Sequence, residues 1–180
     1  MEYFVYGRDL PGTAELKAKL TEEHWAFMDG YGEQLIARGP TLTGQDDDAE
    51  STGSMHIVGL PDVEAARAFA FEEPYYKGGV FESVQLYRFH NTLGRTMWDF
   101  TDAVDNYGRY LLLTLDESTP APTPSKHLIV YGDLLAIDTD VRLGRAVLAE
   151  APDRETAATL LPAGANTPTE VHHWSFGGRR

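Results

Sequence analysis

The 180-residue sequence predicts an α+β fold made of two ferredoxin-like (βαββαβ) units in tandem. Two observations carry this. The hydrophobic pattern over residues 2–89 switches between strand and helix periods in the order β-α-β-β-α-β. A weaker copy then follows. Gly53 precedes Pro61-Asp62-Val63-Glu64-Ala65-Ala66, and Gly144 precedes Pro152-Asp153-Arg154-Glu155-Thr156-Ala157 at the same spacing; YGEQL (31–35) is echoed by YGDLL (131–135), and SVQLYRF by EVHHWSF.

Taken in order, EYFVYGR (2–8) is rich in aromatic and β-branched residues and runs into the turn Asp9-Leu10-Pro11-Gly12, which defines a strand. Thr13 is placed to cap a helix whose apolar stripe is Leu16, Leu20, His24, Phe27 and Tyr31, and Gly30 and Gly32 stop it. QLIAR (34–38) reads as a short strand ending at Gly39-Pro40, with SMHIVGL (54–60) as its antiparallel partner across the polar loop GQDDDAESTG. Asp62 caps a second helix with Val63, Ala66, Phe69 and Ala70 on its buried face, and ESVQLYRF (82–89) closes the unit. The boundaries expected are 1–92 for the first unit, 93–108 for a connector and 109–180 for the second unit. In that second unit RYLLLTLDE is a strand, DLLAID and GRAVLAEA form a hairpin, PDRETAATLL is a capped helix and EVHHWSF is the last strand. Its first helix should shrink to one or two turns, because the Pro-rich part of STPAPTPSKHLIV cannot be helix interior.

Composition narrows the function. A formal net charge of −13 argues against binding a phosphate backbone or an anionic membrane surface, so neither nucleic acid nor membrane is expected as a partner. With no cysteine there can be no disulfide, thiolate zinc site or Cys nucleophile. Met1 leads straight into a strand with no basic n-region or cleavage site, and no apolar run is long enough to span a bilayer; a cytoplasmic protein is the expectation. The acidic loop DDDAE lacks the alternating ligand spacing of a calcium loop, and His172 and His173 are adjacent on a strand and face opposite ways, so no metal site is expected.

The stretch FEEPYYKGGVFESV (71–84) asks for a further reading. A turn needs its Gly and Pro but not its paired acids and tyrosines, and negative charge at a helix C-terminus opposes the dipole. Glu73 precedes Pro74, where extended backbone can turn its side chain inward, and a Tyr75 hydroxyl could orient a ligand. Ser54 and His56 alternate along one strand face, and Arg38 could hold an anion. Each also has a plain structural reading: a core histidine for His24, a strand residue for His56, a surface arginine for Arg38, a packing tyrosine for Tyr75.

The strand ending YGRD (6–9), the helix carrying His24, ARGP (37–40), the Gly53-Ser54 pair and EEPYYKGGVFESV, in this order, resemble the YCII-related (YciI-like) family over roughly residues 1–90. The resemblance implies a dimeric α+β barrel in which two ferredoxin-like sheets face each other, and a His–Asp pair in a cleft. One branch of that family looks like cofactor-free enzymes acting on chlorinated hydroxyquinol-type aromatics. The family histidine maps to His24 and the family aspartate to Glu73, a departure that adds one methylene. Since each sheet must bury the face its helices leave bare, the two units should pack as an internal pseudo-dimer, with a further homodimer allowed. The function expected is that of a small-molecule enzyme without metal or organic cofactor. His24 would be its general base or acid, Glu73 would orient the ring, and Arg38, Ser54, His56 and Tyr75 would contact the substrate. The alternative is a non-catalytic module that senses a metabolite in the same cleft.

Overall fold

The computed structural model describes residues 1–178. In chain order the elements are β1 (Glu2–Asp9), α1 (Ala14–Asp29), β2 (Leu35–Leu42), β3 (Ser51–Gly59), α2 (Val63–Phe71), α3 (Pro74–Lys77), β4 (Phe81–Asn91), a 3₁₀ turn (Met97–Asp99), β5 (Gly108–Thr114), β6 (Leu128–Leu135), β7 (Arg142–Ala151), α4 (Arg154–Leu160) and β8 (Glu170–Trp174). The eight strands close into an antiparallel barrel in the order β1-β3-β2-β8-β5-β7-β6-β4.

Period-two alternation sorts the strand residues into an inner and an outer set. Phe4, Tyr6, Met55, Ile57, Phe89, Leu111, Leu113, Ile129, Leu148 and Trp174 fill the barrel interior. On the outside, Tyr3, Val5, Leu35 and Val58 pack against Met28 of α1 and Ala66, Phe69 and Ala70 of α2. Tyr110, Leu112, Val147 and Ala149 pack against Ala157 and Leu160 of α4. The two halves join at short seams: Thr41↔Trp174 and Leu42↔His173 link β2 to β8, and Arg88↔Leu135 through Asn91↔Gly132 link β4 to β6. Closing the sheet leaves no strand edge to aggregate among the described residues.

Several local expectations change. The buried side chains of α1 are Lys17, His24 and Met28, while Leu16 is exposed. The helix is therefore rotated from its purely apolar stripe, because Lys17 finds a buried carboxylate and His24 a buried partner. The Thr13 hydroxyl donates to the Leu10 carbonyl and makes no side-chain cap to the helix. β2 does not stop at Gly39-Pro40 but runs on to Leu42. The second half holds no helix among its described residues between β5 and β6, where one or two turns were expected. Pro120, Pro122 and Pro124 remove alternate donors there. Asp116 organises that loop instead, accepting from the amides of Ser118, Asn166 and Thr167 and from the Ser118 hydroxyl. These bonds, led by the Ser118 hydroxyl, hold its carboxyl down to about 2.

Candidate functional site

The site lies on the outer face of the first half, where α1 crosses β2 and β3. Gly78 lets α3 approach α1: a Cβ there would sit 2.3 Å from Leu20 Cδ1. Glu73 is the extended N-cap of α3 (φ −68, ψ 147), and its Oε1 accepts from the Tyr76 amide at 2.7 Å. Its other oxygen, Oε2, lies 2.8 Å from His24 Nδ1, with the two side chains only 9% and 5% exposed. A carboxylate at Nδ1 selects the tautomer that carries its proton there and leaves the Nε2 lone pair available. The Tyr75 ring stacks on the His24 imidazole at 4.0 Å and 13°, and its hydroxyl lies 3.2 Å from Thr21 Oγ1. Burial raises the Tyr75 pKa, opposed by the bond to Thr21, so the phenol stays protonated at neutral pH.

In front of this pair is a cavity of about 820 Å³. His24 lines it and Glu73 lies outside its lining, so the carboxylate stands behind the imidazole. Arg38, Ser54, His56 and Tyr75 also line it. All six residues singled out from the sequence thus meet at one place: five on the cavity wall and Glu73 one hydrogen bond behind. Arg38 and His56 are cross-strand partners on β2 and β3, and Pro40 faces Ser54 two positions along. His56 is 6% exposed and its ring lies 5.6 Å from that of His24. Burial first, then the influence of His24, Arg38 and Lys17, pushes the His56 pKa well below its ordinary value, so this imidazole is neutral at neutral pH.

Sequence reasoning missed a second polar group in the cavity. Lys17 Nζ sits 2.9 and 2.8 Å from the two carboxylate oxygens of Asp9 and 2.6 Å from Ser51 Oγ. Burial lowers the Lys17 pKa, and Asp9 pulls it back up. The spacing held the signal: Lys17, Thr21, His24 and Met28 follow at four, three and four residues, one face of a helix. A second omission was the C-terminal segment. Phe176, Gly177 and Gly178 line the cavity, although they follow the last strand of the other half. The Gly177 amide donates to the Arg38 carbonyl at 3.1 Å, and Arg38 Nε donates to the Gly177 carbonyl at 3.1 Å. Gly39 makes this approach feasible, since a Cβ there would lie 1.9 Å from the Ser175 carbonyl oxygen. The adjacent His172 and His173 part company, His172 meeting Glu170 and His173 meeting Gln45. Among the described residues no three His, Asp or Glu side chains are grouped to hold a metal ion.

Fold and cavity together define a closed antiparallel α+β barrel with a pocket between a helix and the outer sheet face. The YCII-related domain matches residues 1–90, half of the sequence and the half that bears the imidazole pair, and the chain belongs to the YCII-related family. An uncharacterized protein of Haemophilus influenzae is 29% identical over 89 residues, 47% of this chain and 91% of that protein. Among solved structures, the chain is similar to a 5-chloro-2-hydroxyhydroquinone dehydrochlorinase from Burkholderia phenoliruptrix, in complex with 2,5-dihydroxybenzoquinone. That match is 26% identical, covers 53% of this chain and 99% of the other, and has a TM-score of 0.48. A mutant chlorite dismutase from Candidatus Nitrospira defluvii matches over 97% of this chain and 91% of its own, with a TM-score of 0.55 and 7% identity, a likeness of fold alone. No helix among the described residues is long and apolar enough to cross a membrane.

Proposed function

We propose that this protein is a small-molecule enzyme that moves protons, with His24 as general base or acid and Glu73 as the residue that orients it. The observation that carries the reading is the 2.8 Å contact from His24 Nδ1 to Glu73 Oε2, with His24 on the wall of the cavity. One nitrogen is engaged by a carboxylate, and the other is left for a ligand. An imidazole so held can take or give a proton at its other nitrogen. Proton abstraction, isomerisation or elimination on a small substrate, aromatic ones included, is chemistry that one histidine and one carboxylate can perform by themselves. Arg38, Ser54, His56 and Tyr75 are the substrate-contacting residues in this proposal.

The same proposal treats the chain as a tandem duplication, with residues 1–92 and 109–180 as its two copies and 93–108 as the connector, and places it in the cytoplasm. Sequence echoes and a barrel closed within one chain support an internal pseudo-dimer standing in for two subunits. The first copy keeps the acid, while the corresponding LPAGANTP of the second carries none, so one active site per chain follows.

The test starts from a thermal-shift screen of a metabolite library for a ligand, followed by product analysis. His24→Ala and Glu73→Gln should each abolish turnover while the protein stays folded, and Glu73→Asp should keep part of it. A ligand that binds and is returned unchanged by the wild-type protein would instead mark a sensing module.

A further inference from the structure

The cavity holds a second imidazole, to which the proton-transfer reading gives a contact with the substrate but no part of the ligand to hold. His56 is 94% buried by its 6% exposure, lines the cavity, and among the described residues has no hydrogen-bond partner for either ring nitrogen. Its contacts are with rings: His24 at 5.6 Å and Phe69 at 5.6 Å. Its ring nitrogens are not among the sealed, unsatisfied polar atoms of the described residues, so they open on the cavity, where a ligand can pair with them. Directly opposite on the ladder stands Arg38. Cross-strand partners carry their side chains on one face, with Cβ atoms ~4.5–5.5 Å apart. The Arg38 Nε is spent on the Gly177 carbonyl, and no carboxylate pairs with the guanidinium among the described residues. That leaves both Nη groups for a ligand.

The charges around this pair favour an anion. The other cation in the cavity, Lys17, is neutralised by Asp9, with which it makes two hydrogen bonds. The rim acid Glu50 is exposed on the loop before β3. The groups that act electrostatically on His56 are His24, Arg38 and Lys17, none of them negative, and with burial they keep its ring neutral. A neutral imidazole offers one N–H donor beside a fixed guanidinium. That pairing suits a planar group with two oxygens sharing one negative charge. Trp25, Tyr75 and Phe176 line the same cavity and supply flat apolar walls.

We propose that the cross-strand pair Arg38 and His56 is an anchor for the carboxylate of a small aromatic acid, with Arg38 supplying the charge and His56 a hydrogen bond. This rests on the reading of the cavity as the ligand site and adds the class of ligand. It leaves His24 and Glu73 free to act on another part of the same molecule.

Benzoate and its neutral isostere benzamide separate charge from shape, and calorimetric titration of the full chain reads both. Benzoate should bind at one site per chain, at least about ten-fold more tightly than benzamide, the ratio that a single charge-assisted contact supplies. Arg38→Gln should remove that preference. His56→Phe should weaken benzoate about ten-fold, and His56→Gln, which keeps an N–H donor, should restore most of the loss. In the wild-type protein the imidazole NMR signals of His56 should move on adding benzoate, a readout that needs no variant to fold. Equal affinity for benzamide, no binding of benzoate, or unmoved His56 signals at saturating benzoate would overturn the inference. If His24→Ala abolished turnover of a substrate found by screening while benzoate ignored His56, the proton-transfer reading would stand and this one would fall.

Discussion

The carboxylate of Glu73 joins two donors from different elements: Oε2 with His24 Nδ1 on α1 at 2.8 Å, and Oε1 with the Tyr76 amide at the start of α3 at 2.7 Å. The same side chain therefore caps a helix and orients an imidazole, and substitutions can separate the two jobs. Asp is as good an N-cap as any residue but is one methylene short of His24. Glu73→Asp should accordingly keep most of the stability and lose part of the activity. Glu73→Ala should cost about 2–4 kcal/mol, combining a lost cap with a buried histidine left unpaired. Chemical denaturation of both variants checks this.

Lys17 and Asp9 form an ion pair whose side chains are only 11% and 10% exposed. Removing one member of such a pair strands the other. Lys17→Met should destabilise by about 3–5 kcal/mol, whereas Lys17→Met combined with Asp9→Leu should recover much of the loss. Urea unfolding of the three proteins gives the comparison. A single variant as stable as the double would mean that the pair contributes little.

How much of this could be read from sequence depended on how far apart the partners stand. The strand and helix order was legible because period-two and period-3.6 patterns are local. The meeting of His24 and Glu73 could be argued because both helices had to cover one sheet face. The burial of Lys17 could not. Hydrophobicity sets Leu16 and Leu20 on the core side, and only the carboxylate of Asp9 on β1 and the hydroxyl of Ser51 on β3 make a buried ammonium tolerable. The capping role of Glu73 was hidden because Pro74-Tyr75-Tyr76-Lys77 is too short to show helical periodicity. The contribution of Phe176 and Gly177 to the cavity rests on a backbone contact with Arg38 across 139 positions, which no pattern in either segment announces.

That contact makes its own prediction. A Cβ on Gly39 would lie 1.9 Å from the Ser175 carbonyl oxygen and 2.7 Å from Trp174 Nε1. Gly39→Ala should push the C-terminal segment off β2 and release Arg38 from the Gly177 carbonyl, while leaving His24 and Glu73 paired. Benzoate affinity should fall and Trp174 fluorescence should change, with the His24 imidazole signals unmoved. Unchanged affinity would show that the segment is dispensable to the site.

His56 should leave its mark on the pH dependence of stability. Its folded pKa lies well below the ordinary 6.5, so between the two values the unfolded chain binds a proton that the native protein does not. Stability therefore falls as pH drops below that value, by up to ~1.4 kcal/mol per pH unit from this group alone, and is level above it. The groups facing His56 are His24 and Lys17 from α1 and Arg38 from β2, and each opposes its protonation. Denaturant unfolding from pH 7 down to pH 5 should show a slope that is shallower in His56→Gln. Equal slopes would mean that the imidazole is free to protonate.

Solvent-deuterium incorporation follows the transferred proton itself, because a carbon-bound hydrogen taken up by His24 can exchange with water at the imidazole, which faces the open cavity. A ligand from the screen is incubated with the protein in D₂O and followed by proton NMR. With the wild-type protein a carbon-bound proton signal should be lost, or deuterium should appear in a product, and folded His24→Ala should show neither. A ligand held in the cavity by the wild-type protein and recovered with every carbon-bound proton in place would contradict it.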